Sequence, residues 1–201
     1  MDCNKCTVDW LVGKRILLAS ASPRRRELLG SLCVDVHQAA VKDVDESYPQ
    51  SLPVEEVASY ISRKKAEAYL SELADNEILV TADTVVICCG EVMGKPHTEA
   101  DACEMLTRLS GHTHKVVTGV TVVHAGRIET FSETTEVEFD CLTPAEIEFY
   151  VKHFRPLDKA GAYGIQEWIG YIGIKSIHGD YYNVMGLPLH ALYRVLCQGI
   201  N

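Results

Sequence analysis

Residues 77–89 (EILVTADTVVICC) form a run too apolar to lie on a protein surface, and one carboxylate, Asp83, interrupts it. A strand of that kind must be covered on both faces, as in a sheet with helices packed against it. The rest of the chain alternates in the same sense. Residues 15–20 (RILLAS) read as a short buried strand and residues 22–31 as a helix, with Ser22 suited to the N-cap, Pro23 to the first turn and Gly30 to the stop. Residues 33–38 read as a second strand, followed by a polar segment, 41–52, that holds Asp43, Asp45 and Glu46. Residues 53–70 carry a helical stripe of Val54, Val57, Ala58, Ile61 and Ala68, and Lys65 falls on that stripe one turn after Ile61. Residues 98–110 and 143–154 read as helices opened by capping boxes, Thr98 with Asp101 and Thr143 with Glu146. Residues 115–124 and 127–140 read as long strands joined in a hairpin at Ala125–Gly126. Residues 168–177 read as a strand and 187–198 as the closing helix. The mixture of β-α units with a long antiparallel pair predicts an α/β protein with a mixed sheet flanked by helices. With no repeat and no Gly-, Ser- or Pro-rich linker, the 201 residues read as one domain, residues 1–13 being an N-terminal extension.

Charge narrows the partners. The 19 Lys and Arg against 28 Asp and Glu leave a net charge of −9, which argues against a nucleic-acid polymer or an anionic membrane surface as partner. Residues 1–13 lack the apolar run of a signal peptide, and no stretch is long enough for a transmembrane helix, so a cytoplasmic protein is expected. Cys33, Cys88, Cys103, Cys141 and Cys197 sit in apolar patterns and read as buried reduced thiols. Cys3 and Cys6 form a C-x-x-C with no second pair to complete a zinc site. His112 and His114 read as polar positions on a solvated strand face.

The few basic residues gather where strands end and helices begin. Residues 18–26 (LASASPRRR) bring Arg24, Arg25 and Arg26 into the first turn of a helix. Cations there oppose the helix dipole by roughly 0.3–1 kcal/mol each, unless a bound anion offsets the penalty. Lys65 either snorkels to the surface or points into a cleft. Asp83 is either a strand-end residue or a paired, functional carboxylate. Residues 90–96 (GEVMGKP) approach a P-loop but fail it, because Pro96 stands where a Ser or Thr would hold magnesium; Lys95 still follows a glycine at a turn and can reach a phosphate. In 158–166 (DKAGAYGIQ), small residues permit close backbone approach, and Gln166 offers both a donor and an acceptor to a base edge.

LASASPRR, ADTVV, GKP, the H-x-V-x-T-G-V run at 114–120, DKAGAYGIQ and NVMGLP at 183–188 occur in that order. Together they resemble the Maf family of nucleoside triphosphate pyrophosphatases over nearly the whole chain. The resemblance implies a Maf/ITPase-like fold, an elongated mixed sheet in two lobes around a substrate cleft, often dimeric. It implies hydrolysis of a nucleoside triphosphate to the monophosphate and pyrophosphate with a divalent cation, Mg or Mn. By the same resemblance, Asp83 corresponds to the proton acceptor and a metal-site residue. Ser20, Arg24, Lys65 and Lys95 match positions lining the phosphate site. Arg24, Thr84 and Gln166 match the three positions that separate substrate classes, and carry the residues of the dTTP/UTP branch. One departure stands out: the family usually reads G-I-Q-G, whereas Glu167 follows Gln166 here.

The expected reaction is attack of water on the α-phosphorus, with Asp83 orienting or deprotonating the water. General-base help of this kind is worth roughly 10²–10⁴ in rate. Glu46, in the acidic segment, is a candidate second metal ligand. The expected substrates are dTTP, UTP and modified pyrimidine nucleotides, in house-cleaning of nucleotide pools. Two other readings stay open: the same chemistry on 7-methyl-GTP or another non-standard purine nucleotide, and a nucleotide-binding regulator of cell division without turnover.

Overall fold

The computed structural model describes residues 13–32 and 34–198. Cys3, Cys6, Cys33 and nearly all of the expected N-terminal extension lie outside the described residues. In chain order the elements are β1 (Arg15–Leu18), α1 (Pro23–Gly30), β2 (Val36–Gln38), α2 (Val57–Glu67), β3 (Glu77–Cys88), β4 (Glu91–Met93), α3 (Glu99–Leu109), β5 (Thr113–His124), β6 (Arg127–Phe139), α4 (Pro144–Phe154), α5 (Trp168–Gly173), β7 (Ile174–His178), α6 (Tyr181–Val184) and α7 (Leu189–Gln198).

The helix starts follow from local chemistry. The Ser22 hydroxyl accepts from the Arg25 N–H, and Pro23 occupies the first turn of α1. Thr98 and Asp101 cap α3 reciprocally, as Thr143 and Glu146 cap α4. At the β5–β6 hairpin, Ala125 and Gly126 both take positive φ, 49° and 77°, the turn whose twist matches the flanking strands.

The seven strands run in the order β2-β1-β3-β5-β6-β7, with β4 paired to β3. β1 is parallel to both β2 and β3, while β4 on β3 and β7 on β6 are antiparallel. The sheet is thus mixed, and the chain falls into two compact units. The first takes the described residues up to Asp83, Thr118–Glu133 and the described residues from Gly186 on; the second takes Thr84–Val117 and Thr134–Met185.

In the first unit, α2 lies on the sheet over Gly119. A Cβ at Gly119 would stand 2.3 Å from the Ser59 nitrogen and 2.4 Å from the Ala58 carbonyl carbon, so only glycine admits the helix there. Buried hydroxyls fix the register: Ser62 Oγ donates to Thr121 Oγ1 at 2.9 Å, and Thr81 Oγ1 donates to the Ser62 carbonyl at 2.8 Å. Lys65 follows Ser62 by one turn, so this seat aims it.

The second unit has its own core, with Leu106, Leu109, Val137, Tyr150 and Ile169 buried. His114, Phe139 and Tyr163 meet edge to face in it, with centroids 4.9–5.4 Å apart.

Several expectations are corrected. Residues 168–177 are not one strand: α5, Trp168–Gly173, precedes β7, which is confined to Ile174–His178, and a Cβ at Gly170 inside α5 would collide with the Ile165 carbonyl. The helix expected over 53–70 is a 3₁₀ turn, Val54–Glu56, followed by the shorter α2, and the strand expected over 33–38 is confined to β2. The short elements β4 and α6 gave no periodic signal. His114 is not solvated but 2% exposed, with Nε2 2.8 Å from the Tyr163 hydroxyl, and His112 precedes the strand. Cys141 is exposed, in the turn between β6 and α4, whereas Cys88 is buried and Cys103 and Cys197 are half-buried.

Candidate active site

In the first unit, β1 runs into Ser20, and α1 begins just beyond it. The Gln38 amide donates to the Ser20 carbonyl at 2.6 Å, and Ser20 Oγ accepts from the Ser22 N–H at 3.3 Å. Of the three arginines, Arg25 turns inward. Its Nε donates to the Gly186 carbonyl at 2.8 Å, and its Nη1 donates to the Ala82 carbonyl at 2.8 Å and to Ser20 Oγ at 3.3 Å. Withdrawal from water pushes the Arg25 guanidinium below its ordinary pKa, against the opposing pull of the Asp83 carboxylate. Arg24 is half-buried and Arg26 exposed. The sequence placed Arg25 with Arg24 and Arg26 in one basic turn and singled out Arg24, although Arg25 lies on the face of α1 that carries the buried Leu28 and Leu29.

The carboxylate of Asp83 projects from the interior of β3, directly after the Ala82 carbonyl that Arg25 holds. Lys65 Nζ lies 2.7 Å from Asp83 Oδ1 and 2.8 Å from Glu46 Oε1. The Lys65 and Asp83 side chains are only 17% and 13% exposed, which excludes snorkelling and marks this as a largely desolvated pair; Glu46 is 51% exposed. Asp83 Oδ2 has no hydrogen-bond partner among the described residues, so Lys65 orients the carboxylate while one oxygen stays available as acceptor. The acidic segment is also tied to α2 by the next lysine, Lys64, whose Nζ lies 3.0 Å from Asp45 Oδ2 and 3.3 Å from the Ser47 carbonyl.

Ser20, Lys65, Asp83 and Glu46 are therefore linked through ion pairs and through Arg25, with Arg24 on the adjoining helix turn. Among the described residues no three His, Cys, Asp or Glu side chains form a ready-made metal cage. Two carboxylates nevertheless converge on one cation. Hard oxygen donors of that number suit Mg or Mn, which commonly take one or two carboxylates and complete their shell with phosphate oxygens and water.

The other expected residues belong to the second unit. Thr84 follows Asp83 on β3 and is half-buried. Lys95 is exposed, just beyond β4. The Gly161 N–H donates to the Gly94 carbonyl at 3.0 Å, so the turn bearing Lys95 is bonded to the loop that leads to Gln166. Gln166 Oε1 is buried without a hydrogen-bond partner.

The family model described as Maf-like protein matches residues 15–199. The chain belongs to the Maf-like protein family. This Maf-like chain is 52% identical over 179 residues to a dTTP/UTP pyrophosphatase of Bacteroides thetaiotaomicron, covering 89% of the chain and 93% of that relative. It is 50% identical over 184 residues to one of Bacteroides fragilis, covering 92% and 95%. It is 49% identical over 191 residues to one of Porphyromonas gingivalis, covering 94% and 96%. A solved nucleoside-triphosphatase / dITP/XTP pyrophosphatase from Mycobacterium abscessus matches 62% of this chain and 74% of its own at 15% identity and a TM-score of 0.39, and carries no part of the assignment. No helix among the described residues of this Maf-like chain is long and apolar enough to cross a membrane.

Proposed function

We propose that this protein hydrolyses dTTP and UTP, and modified pyrimidine nucleotides with them, to the monophosphate and pyrophosphate, acting on cytoplasmic nucleotide pools. The observation that carries the chemistry is Asp83: a carboxylate inside an apolar strand, oriented by Lys65 through one oxygen with the other left to accept. The relatives named dTTP/UTP pyrophosphatase, near 50% identity over most of the chain, support the substrate class.

The residues divide the work. Asp83 takes the proton of the water that attacks the α-phosphorus, and the bond from that phosphorus to the bridging oxygen of the β-phosphate breaks. The products are the monophosphate and pyrophosphate. Lys65 aims the carboxylate through its contact with Oδ1. Ser20, Arg24, Lys95 and the N–H groups at the start of α1 meet the phosphate charge. Thr84 and Gln166 read the nucleoside. Asp83 and Glu46 would hold a divalent cation, Mg or Mn, whose chemistry is to neutralise charge on the phosphate oxygens.

Asp83→Asn tests the assignment: turnover of UTP falls by about 10²–10⁴ while UTP still binds. Wild-type turnover in that variant removes Asp83 from the reaction.

A further inference from the structure

The departure at Glu167 lies in an organised place. Lys159, 8% exposed, has its Nζ 2.7 Å from Asp158 Oδ1 and 3.1 Å from Glu167 Oε1. The other Glu167 oxygen accepts from the Tyr150 hydroxyl, which in turn accepts from the Gly164 N–H at 3.1 Å. Burial pushes the Tyr150 phenol far above its ordinary pKa, so it remains a donor to that carboxylate. Glu167 also covers Gly164 so closely that a Cβ there would lie 2.9 Å from its carboxyl carbon.

The backbone around Gln166 is bonded on both sides. The Glu167 N–H donates to the Gly164 carbonyl at 3.0 Å, and the Gly170 N–H donates to the Glu167 carbonyl at 2.9 Å. The Tyr171 hydroxyl donates to the Gln166 carbonyl at 2.6 Å. Amid this bonded frame, Gln166 Oε1 is buried and unpartnered. An acceptor in that state is destabilising, and a ligand N–H that bonds it on binding removes the penalty.

We infer that Glu167 is a positioning residue: through Tyr150 and Lys159 it holds the Gln166 amide so that Oε1 selects a pyrimidine ring bearing an N–H beside its carbonyl. The inference rests on the function proposed above and deepens it. Uracil and thymine present that ring N–H. Cytosine presents a ring acceptor there, which leaves Oε1 unpaired and faces it with another acceptor. Sites built to bond a substrate N–H reject analogues lacking it more strongly than apolar pockets reject a change of size.

The experiment compares wild type, Glu167→Ala and Glu167→Gln on UTP and CTP, with hydrogen exchange of the Gly164 and Gly170 amides measured alongside. In Glu167→Ala the ratio of kcat/KM for UTP over CTP falls about tenfold, the size of one lost hydrogen bond. The loss for UTP is carried by KM rather than kcat, and both amides exchange faster. Glu167→Gln preserves volume and an acceptor for Tyr150, and keeps the ratio within about threefold of wild type. If Glu167→Ala does not fold, Tyr150→Phe withdraws the same partner from the carboxylate and gives the same readout. An unchanged ratio, unchanged amide protection, or UTP and CTP falling together through kcat overturns the inference. A wild-type protein that releases no pyrophosphate from UTP or dTTP refutes the proposed function instead, and the exchange comparison then still decides whether Glu167 holds the loop.

Discussion

The Lys65 ammonium lies 2.7 Å from Oδ1 of Asp83, and this pair joins the helix that crosses the sheet to the carboxylate inside the central strand. Both partners are largely withdrawn from water, so the pair is set by the fold rather than by chance encounter of long side chains on a surface.

Lys65→Met is therefore expected to act on two observables. Turnover of UTP falls at least about 100-fold, because Asp83 loses the group that orients it. Stability in urea falls by about 1 kcal/mol, since a mostly buried carboxylate is left without its cation. Adding Asp83→Asn to that variant restores stability but not activity, the coupling expected of a direct pair. A Lys65→Met protein with wild-type kcat contradicts the account.

The arginines at the start of α1 are expected to separate by role. Arg25→Ala destabilises by about 2 kcal/mol, because its guanidinium is the donor to the carbonyls of Ala82 and Gly186. Arg24→Ala changes stability by no more than about 0.5 kcal/mol and raises KM for UTP. Denaturant titrations and initial rates on both variants check this, and the reverse assignment of the two effects contradicts it.

His114 makes a prediction about pH. Burial lowers its pKa from 6.5 to about 4 in the folded chain. Between those values the unfolded state binds more protons, so stability rises with pH across the window. The contribution is complete above about pH 6.5 and is lost as pH falls toward 4, amounting to about 2 kcal/mol between pH 7 and pH 5. Urea titrations at the two pH values measure it against His114→Phe, in which that part of the slope disappears. An equal slope in both proteins removes His114 as its source.

The parts of this architecture that were legible in the sequence are those set locally. Ser22, Thr98 and Thr143 cap helices through hydroxyls only a few residues from the N–H groups they bond, and Ala125–Gly126 turns a hairpin through its own φ values. Lys65 and Asp83 were visible as charges placed on apolar patterns. What stayed hidden depends on long-range packing. The break between α5 and β7 leaves no mark on a run that is apolar in either form, and neither does the close approach of Gly170 in α5 to the Ile165 carbonyl. Arg24 and Arg25 are chemically identical, and their difference comes from carbonyls far along the chain. His114 looked solvated because its partner, the Tyr163 hydroxyl, lies on a distant loop.

The reaction proposed is attack of water on the α-phosphorus of a pyrimidine triphosphate. The most direct measurement is hydrolysis of UTP and of dTTP in ¹⁸O-labelled water, with both products weighed by mass spectrometry. Label is expected in UMP and dTMP and none in the pyrophosphate. Label in pyrophosphate, or release of orthophosphate in its place, contradicts it.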